Sequence, residues 1–426
     1  MNVLITGASG FIGGHLAAAL TAAGHEVIEL VRRLDPNSDR CQIRGDFRTD
    51  LTQATWVPRL RGVDAVVNAV GILRERGTQT FAALHTDAPS ALFSACVAAG
   101  VRKVIQISAL GADAAASSRY HRSKAAADRH LAGLPLDWII LQPSLVFGAG
   151  GASARFFATL AALPLVPLPG DGAQRVQPAH VADLAELCVR LLETAQFDRR
   201  VIAVVGPEAC SVRGLLARLR AGMGLDEPRF VSVPMRTVRG FARLTARTLG
   251  IPLDPETLAM LERGNTAASD GCTTALGREP SPIWPLVVAA HGDKAGATAD
   301  WARLNWLLPV LRFSVALVWI VTGLLSLGIY PVQQSYALLA RVGITGALAP
   351  VFLYAAAALD LALGIATVSM RRRVVLWRLQ MALIVGYSLV ITVALPEYWL
   401  HPFGPVLKNL PLLASILLLH QLERRG

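Results

Sequence analysis

The stretch "VLITGASGFIGGHL", residues 3–16, decides the fold at the start of this chain. An apolar run before Gly7 predicts a short buried strand, and the apolar residues from Phe11 predict a helix. Gly7, Gly10 and Gly13 have the spacing of a turn that binds a dinucleotide. Gly7 permits the tight turn, Gly10 lets a pyrophosphate approach the backbone, and Gly13 lets the helix pack close to the sheet. The free N–H groups at the helix start would then bind the phosphates.

Predicted strands and helices alternate after this turn. Stretches of about ten helical residues between strands favour parallel pairing, so the predicted fold class is α/β with a Rossmann-like doubly wound parallel sheet. The predicted strands are Val3–Thr6, Val27–Val31, Gln42–Arg44, Val63–Asn68, Val101–Ser108, Trp138–Gln142 and Val201–Val205. The predicted helices are Phe11–Ala23, Thr80–Ala99, Tyr120–Leu131 and Ala179–Glu193.

Charge is distributed unevenly along the chain. Residues 301–426 carry ten basic and three acidic side chains, so most of the formal net charge of +11 lies in this part. No basic stripe interleaved with aromatic residues is present, so nucleic acid is not an expected partner. The cysteines and histidines show no metal-ligand spacing, so no metal site is predicted.

Long uncharged runs follow residue 306. The runs Phe313–Ile329, Pro350–Met370 and Val374–Leu395 are long enough to cross a bilayer, because twenty helical residues span about 30 Å. A fourth run, Val406–Leu422, is interrupted by polar residues and a proline. We therefore expect an all-α transmembrane domain of about four helices, with the lipid bilayer as a partner.

The arginines near these runs predict a topology. If four helices cross, the positive-inside rule puts the N-terminal domain in the cytoplasm, attached to the inner membrane by a multi-pass anchor. No secretory leader is expected before the first strand, which agrees with this side. The outer loops hold Arg341. The inner flanks hold Arg303, Arg312, Arg371, Arg372, Arg373, Arg424 and Arg425, with Arg378 just inside the third helix.

Asp360 lies in the middle of the second predicted span, where an exposed carboxylate is costly. Two interpretations stay open for this residue. It is a neutral acid that bonds to a neighbouring helix, or it forms an ion-pair or ligand site with Lys408 or Arg378. The predicted domains are 1–263, which binds the nucleotide, a linker or loosely packed segment at 264–300, and the membrane domain at 301–426.

The end of the second strand indicates which nucleotide is bound. It closes with Arg32 and Arg33 where an acidic residue would bind a ribose 2′-hydroxyl, and arginine there suits a 2′-phosphate. NADP(H) is therefore favoured over NAD(H). Asp46 is expected near the adenine, and "NAVG" from Asn68 to Gly71 on the far side of the cofactor. The predicted cofactor-binding residues are Gly7, Ser9, Gly10, Phe11, Ile12, Gly13, Arg32, Arg33, Asp46, Asn68, Ala69, Gly71, Lys124 and Pro143.

The motifs "TGASGFIG", "RGD", "NAVG", "ISALGA", "YHRSK" and "LQPSLVFG" occur in this order. In this respect the chain resembles the extended or atypical branch of the short-chain dehydrogenase/reductase superfamily. The stretch "LDPETLAMLERGN" is similar to the dinucleotide-binding accessory subunit of respiratory complex I and its bacterial relatives. The tail, with "LDLALG" and "PEYWLHPFGPVLKNLP", resembles a DoxX-like membrane domain.

This resemblance implies a catalytic pair. Tyr120 and Lys124 share one helix face, and in the superfamily such a tyrosine exchanges the proton while the lysine lowers its pKa and holds the nicotinamide ribose. Lys124 is one of only four lysines among 41 basic residues, which makes its presence here informative. Ser108 is a candidate helper that polarises a carbonyl, although the superfamily hydroxyl often lies later, where this chain has Ala109 and Leu110.

Three functions are compatible with these features. The first is a membrane-anchored NADP(H)-dependent oxidoreductase for a small hydrophobic carbonyl, alcohol or quinone-like substrate. The second is a nucleotide-binding assembly or sensing subunit of a membrane complex that performs no turnover. The third, which the arginines after the second strand and the membrane tail disfavour, is a sugar-nucleotide epimerase or dehydratase.

Overall fold

A computed structural model of the chain describes residues 1–148, 150–245, 254–283, 295–370, 373–402 and 404–423. The chain forms two compact units, Met1–Ala302 and Arg303–Gly426. Each unit has its own hydrophobic core.

Seven strands of the first unit form one parallel sheet, and six more form short two-stranded pairs. The strands are β1 (Asn2–Thr6), β2 (Glu26–Val31), β3 (Cys41–Arg44), β4 (Ala65–Asn68), β5 (Lys103–Ile107), β6 (Asp137–Pro143), β7 (Val146–Phe147), β8 (Val166–Pro169), β9 (Arg175–Val176), β10 (Ala179–His180), β11 (Arg200–Val204), β12 (Cys210–Ser211) and β13 (Phe230–Val233). The sheet order is β11-β6-β5-β4-β1-β2-β3. The predicted doubly wound parallel sheet is therefore confirmed.

The strand order reverses between β1 and β4. From β1 the chain moves outward to β2 and β3, and it then returns to β4 on the other side of β1. The loops at the carboxyl ends of β1 and β4 therefore diverge and leave a crevice, which is where ligands bind in such sheets.

Helices cover both faces of the sheet and continue into the second unit. They are α1 (Phe11–Ala22), α2 (Gln53–Trp56), α3 (Ala88–Ala99), α4 (Arg119–Ala132), α5 (Ala152–Ala161), α6 (Val181–Glu193), α7 (Val212–Gly222), α8 (Met235–Thr245), α9 (Pro255–Arg263), α10 (Asp270–Leu276), α11 (Ala295–Leu324), α12 (Val332–Arg341), α13 (Leu348–Ser369), α14 (Val374–Ala394) and α15 (Asn409–Glu423). Short 3₁₀ or π turns lie at Val57–Leu60, Ala82–Asp87, Leu325–Ile329 and Pro396–Trp399.

The alternation of side chains along β1 fixes its register. Val3 and Ile5 pack with α1 and α6 on one face of the sheet, whereas Leu4 packs with α3 on the other face. All three side chains are fully buried. A strand buried on both faces has a continuous apolar sequence, as the run before Gly7 does.

The structure differs from the predicted linker at 264–300. Helix α10 packs into the core of the first unit, where Cys272 and Leu276 are fully buried. The small and polar residues around them suggested a linker because they provide few apolar positions in sequence. Residues 284–294 lie outside the described residues.

The second unit contains the expected apolar helices. Among the described residues, three helices are long and apolar enough to cross a membrane: Thr298–Ile329, Leu348–Ser369 and Val374–Ala394. The fourth predicted span forms only the 15-residue helix α15. A helical region with three apolar candidate spans is thus confirmed, and a fourth crossing stays a prediction.

Polar contacts join the helices of the second unit. Gln380 donates to the Thr367 hydroxyl at 2.7 Å, and Asn409 donates to the Ser388 hydroxyl at 2.9 Å. Asp360 is buried, and among the described residues one of its carboxyl oxygens has no hydrogen-bond partner. No ion pair joins Asp360 to Lys408 or Arg378 in the part of the chain that the structure describes.

Candidate nucleotide and active site

The turn after β1 forms a cradle of backbone atoms. Gly7 adopts a positive φ of 73°, and the Gly10 N–H donates to its carbonyl oxygen at 2.9 Å. A Cβ atom added at Gly13 would lie 2.1 Å from the same oxygen, and one added at Gly7 would lie 2.9 Å from the Ala69 backbone. Only glycine fits at these two positions. Glycine at position 7 lets the turn after β1 contact the backbone that directly follows β4, and glycine at position 13 lets α1 contact the turn.

The first turn of α1 is open to an anion. Gly10 caps the helix without a side chain, and no acidic residue occurs in the first turn. The N–H groups at this end and the positive end of the helix dipole therefore face the crevice without competition. This cradle fits the pyrophosphate of a dinucleotide. Ser9 lies in the same turn and is exposed.

The side chains expected at the adenosine end lie around the end of β2. Arg32 and Arg33 are exposed. Glu29, the acidic residue of this strand nearer to its end, is buried and accepts a hydrogen bond from Arg40. Asp46 accepts hydrogen bonds from Arg48, and this contact lowers the pKa of the Asp46 carboxyl below its usual range. The two residues that directly follow β2, Arg32 and Arg33, are thus both exposed and positive.

Asn68 at the end of β4 is fully buried. Its amide oxygen accepts a hydrogen bond from the Thr6 hydroxyl, and its amide nitrogen donates to Gln106 at 2.7 Å. The Asn68 side chain therefore joins three strands inside the sheet. Of the predicted "NAVG" segment, Ala69 and Gly71 are the residues that line the crevice.

The crevice opens into a cavity of about 470 Å³. Eight of the predicted cofactor-binding residues line it, whereas Gly7, Ser9, Arg32, Arg33, Asp46 and Asn68 are not part of its wall. The eight are Gly10, Phe11, Ile12, Gly13, Ala69, Gly71, Lys124 and Pro143. Tyr120 and Ser108 line the same cavity, so the structure brings the predicted catalytic residues to the predicted cofactor site.

Lys124 lies at the inner end of this cavity. Its ammonium donates to the carbonyl oxygens of Val70 and Ile107, each at 3.1 Å, so it connects the loops after β4 and β5. Burial lowers the pKa of Lys124 to about 8, and the nearby Asp128 carboxylate opposes this shift in part. A Cβ atom added at Gly71 would lie 3.3 Å from the ammonium, so the backbone of the β4 loop passes close to it.

Tyr120 precedes Lys124 by one helical turn and is surrounded by rings. The Phe81, His85 and His121 rings contact it edge-on, with centroids 5.3 to 6.0 Å away. Burial, and to a smaller extent the negative charge of Asp128, raise the pKa of Tyr120 to about 12. The phenol is therefore protonated at neutral pH, which is the form that donates a proton.

Ser108 is the first residue after β5 and is buried. Its hydroxyl donates to the Asp128 carboxylate one turn beyond Lys124 on α4. Burial raises the pKa of Asp128, and the hydrogen bond from Ser108 opposes that shift. The Ser108 hydroxyl donates its one proton to Asp128, so it cannot also donate a hydrogen bond to a substrate.

His85 is a site residue that the sequence patterns did not indicate. It lies in the π-helical turn Ala82–Asp87, where the Ile72 N–H donates to its Nε2 at 3.0 Å and Ser123 contacts its Nδ1 at 2.9 Å. Burial, followed by the charge of Lys124, lowers the pKa of His85 to about 2. A neutral His85 therefore supports the β4 loop beside Lys124. A lone histidine in a helical pattern gives no sequence signal for this role.

The outer half of the cavity is apolar. Its walls come from the β6–β7 connection and from helices α5 and α9. The side chains that line it are Leu145, Val146, Phe156, Phe157, Met260 and Leu261. Asn265, just after α9, adds a polar group: the Leu145 N–H donates to its amide oxygen at 3.1 Å. The cavity therefore joins a polar catalytic end to an apolar end.

The fold and this site define an α/β nucleotide-binding domain of the short-chain dehydrogenase/reductase type that is followed by an apolar helical region. Residues 3–206 match the model of the NAD dependent epimerase/dehydratase family, and residues 316–417 match that of the DoxX-like family. The chain belongs to the NAD dependent epimerase/dehydratase family and carries a DoxX-like domain at its C-terminal end.

Curated relatives include a reductase and a subunit of NADH dehydrogenase. The chain is 30% identical over 235 residues to a ceramide reductase from Caulobacter vibrioides, and the match spans 54% of this chain and 73% of that protein. It is 25% identical over 285 residues to subunit 9 of the NADH dehydrogenase [ubiquinone] 1 alpha subcomplex from Arabidopsis thaliana, over 62% of this chain and 69% of that protein. For the same subunit from Mus musculus the identity is 26%, over 54% of this chain and 63% of that protein.

Solved structures share the fold. A nucleoside-diphosphate-sugar epimerase from Staphylococcus aureus aligns with a TM-score of 0.55 at 17% identity, over 67% of this chain and 99% of that chain. UDP-glucuronic acid 4-epimerase from Bacillus cereus aligns with a TM-score of 0.51 at 20% identity, over 72% of this chain and 100% of that chain. At these identities the likeness concerns the fold alone.

Proposed function

We propose that this protein is a membrane-anchored NADP(H)-dependent reductase of a hydrophobic carbonyl substrate. The observation that carries the proposal is the position of Tyr120 and Lys124 in the cavity that begins at the glycine cradle and ends among apolar side chains. The pair belongs to one helix, and the Lys124 ammonium connects the two loops that flank the crevice. A purely structural lysine would not need to line a cavity.

The residues of this chain have separate tasks in the proposed reaction. When bound, the nicotinamide of NADPH supplies the hydride. Tyr120 is protonated at neutral pH and would donate its phenolic proton to the carbonyl oxygen. Lys124 holds the ribose and stabilises the phenolate that remains. Ala69 and Gly71 form the wall opposite the substrate.

The apolar half of the cavity favours a substrate with a long hydrocarbon part. Phe156 and Phe157 on α5 and Met260 and Leu261 on α9 can bury an aliphatic chain, whereas a sugar nucleotide would leave its hydroxyl groups without partners there. The 30% identity to a ceramide reductase supports a lipid substrate. The membrane helices would keep the site close to such a substrate.

The positive corner after β2 supports NADP(H) as the preferred cofactor. Arg32 and Arg33 are exposed, and Glu29, the acidic residue nearer to the end of this strand, is already bound by Arg40. A 2′-phosphate would be attracted by the two arginines, whereas a 2′-hydroxyl lacks a carboxylate to bind it. The variants Arg32→Glu and Arg33→Glu should each lower NADPH affinity and leave NADH affinity nearly unchanged, as measured by cofactor fluorescence.

The charges of the second unit support a cytoplasmic first unit on the inner membrane. Glu423 at the end of α15 pairs with Arg312 at 2.6 Å and with Arg373 at 3.8 Å, so these arginines lie at one end of the helices. Positive charge concentrates on the cytoplasmic side of such proteins. Accessibility of cysteines introduced at exposed positions of the first unit, tested in sealed inverted vesicles, would establish the side.

The decisive experiment is turnover by the full chain in detergent. NADPH oxidation is followed with a panel of long-chain ketones, the keto form of a ceramide and a soluble quinone. Tyr120→Phe should abolish turnover and keep NADPH binding, because only the proton donor is removed. Equal turnover by the wild type and Tyr120→Phe would refute the assignment of Tyr120.

A second candidate is a nucleotide-binding subunit of a membrane complex that performs no turnover. It is favoured by the similarity to complex I subunits and by the hydrogen bond that engages Ser108 with Asp128. Bound NADPH that no substrate of the panel oxidises, together with copurification of a membrane complex after mild solubilisation, would support it.

A further inference from the structure

Asn265 is a half-buried polar residue in the wall of the apolar half of the cavity. Its neighbours in this wall are Leu145, whose N–H donates to its amide oxygen at 3.1 Å, and Val176, with which it forms a parallel bridge. Both neighbours line the same cavity. The reaction proposed above gives Asn265 no task, although its hydrogen bonds determine which of its atoms is left for a ligand.

Hydrogen bonds fix both the backbone and the side chain of Asn265. Its N–H donates to the Arg175 carbonyl oxygen at 2.9 Å, and its carbonyl oxygen accepts the Gln177 N–H at 3.0 Å. The N–H of Leu145 can only donate, so the branch of the amide that faces it is the oxygen, Oδ1. The other branch is therefore the NH₂ group, and its direction is set by these three bonds.

The Nδ2 atom of Asn265 makes no hydrogen bond among the residues that the structure describes, and it is not enclosed by the protein. Two hydroxyl groups of the same cavity, those of Ser144 and Thr257, already donate their protons to backbone carbonyl oxygens. The Ser153 hydroxyl also lines the cavity, but it can rotate and imposes no direction on a ligand. Nδ2 is thus an unused donor of fixed direction in a largely apolar wall.

The free donor of Asn265 restricts which ligand can fill this half of the cavity. A plain hydrocarbon chain would cover Nδ2 and remove it from water without a partner, which costs about 1 to 3 kcal/mol. A ligand with an oxygen at this point would accept a hydrogen bond instead and avoid that cost. An amide nitrogen only donates, so the matching group on the ligand is an acceptor, such as a carbonyl or hydroxyl oxygen.

We propose that Nδ2 of Asn265 donates a hydrogen bond to an oxygen in the chain of the substrate, separate from the carbonyl that is reduced. This inference rests on the proposed function, because Tyr120 serves the reacting oxygen and the apolar half holds the rest of the substrate. It defines the substrate class more narrowly, as a long-chain carbonyl compound with a second acceptor oxygen. Asn265 would then select such compounds over chains without one.

The test measures binding of isomeric long-chain ketoesters to the NADP⁺-loaded full chain in detergent, by equilibrium dialysis at pH 8. The ester group only accepts hydrogen bonds, and it lies at successive positions along the chain in the different isomers. The wild type should bind one isomer about tenfold more tightly than the others, the usual effect of one hydrogen bond to a donor that is otherwise left unpaired. Asn265→Asp keeps an oxygen for the Leu145 N–H and replaces the donor by an acceptor, so that isomer should become the weakest ligand. Ser144→Ala is the matched control and should keep the preference, because its hydroxyl is bound within the protein.

Equal affinity of the wild type for all isomers, or binding of none, overturns the inference. A preference that is unchanged in Asn265→Asp also overturns it, since this variant keeps the bond to Leu145 and loses only the donor. If Asn265→Asp does not fold, Asn265→Leu takes its place and should bind all isomers alike. Dialysis requires no turnover, so a preference without oxidation of NADPH by any isomer would refute the proposed function and keep the inference. Oxidation of NADPH without a preference would do the reverse.

Discussion

The two units of this chain differ in where their apolar side chains lie, because the first unit buries them and the second exposes many of them. In Met1–Ala302 the apolar side chains of β1 are fully buried, as Leu4 and Ile5 illustrate. In Arg303–Gly426, Ile365 and Leu389 on the long helices are 60% and 61% exposed. A protein folded in water cannot present such continuous apolar surface, whereas one surrounded by lipid must. Exposure therefore identifies the solvent of each unit.

The buried polar side chains of the two units have different surroundings. In the first unit, Lys124 and His121 are buried and line a cavity. In the second unit, Gln380 and Asn409 bond to side chains of neighbouring helices, as polar residues commonly do between membrane helices. The comparison indicates that chemistry belongs to the first unit and that polar contacts in the second serve mainly to join helices.

The largest expected effect concerns the glycine cradle. Gly13→Ala places a methyl group against the Gly7 carbonyl oxygen, which belongs to the backbone and cannot move aside. We expect NADPH affinity to fall by at least about 100-fold, or about 3 kcal/mol, as fluorescence titration would measure. Gly240→Ala is the control, because its added Cβ meets no atom within 4 Å. Normal NADPH binding by Gly13→Ala would contradict the cradle.

A charged residue introduced at an exposed apolar position of each unit tests whether the two units face different solvents. Ile365→Arg puts a cation on the lipid-facing side of α13 and should cost about 3 kcal/mol, seen as poor membrane insertion and low yield. Val201→Arg places the same cation at a 53% exposed position in the first unit, where surface substitutions change stability by about 0.5 kcal/mol or less. Equal yields of both variants would argue against a lipid environment for α13.

A smaller effect is expected from helix packing in the second unit. A Cβ atom added at Gly364 would lie 2.5 Å from an Ile320 side-chain carbon and 3.0 Å from the Ala316 carbonyl oxygen. Gly364→Ala should therefore lower the free energy of unfolding by about 1 to 3 kcal/mol in detergent, without changing NADPH affinity. Gly386→Ala, whose Cβ meets no atom within 4 Å, is the control. A thermal-shift assay would separate the two variants.

The smallest effect is a pH dependence in the first unit. Because burial lowers the pKa of Lys124 to about 8, the ammonium loses its proton as the pH rises through that value. The protonated form is the one that we propose donates to the ribose, so NADPH affinity should decline above about pH 8, by at most about tenfold per pH unit. Lys124→Met should bind more weakly with a flat profile. A wild-type profile that rises with pH would contradict this assignment.

Local signals were sufficient to predict much of the first unit. The apolar run before Gly7 and the glycine spacing define β1, the turn and α1 because neighbours in sequence form them. The Tyr120–Lys124 spacing also predicts a shared helix face. The role of His85 in supporting the β4 loop, in contrast, depends on a π-helical turn and on Ile72, which no periodicity indicates.

Other features depend on contacts that are distant in sequence. Helix α10 has few apolar residues, and its burial follows from packing against strands and helices far earlier in the chain. Asn265 reaches the cavity through a hydrogen bond with Leu145, 120 positions away. The sequence predicted Ser108 as a catalytic hydroxyl. Its hydrogen bond to Asp128 could not be predicted, because that bond forms only when the end of β5 lies against α4.

The hydrogen bonds of His85 have a consequence for binding kinetics. Ile72, His85, Ser123 and the Tyr120 carbonyl form one continuous chain of hydrogen bonds from the β4 loop to α4. This wall is assembled when the protein folds, so an arriving ligand does not need to order it. Preorganisation of this kind lowers the entropy cost of association and favours rapid capture of the nucleotide.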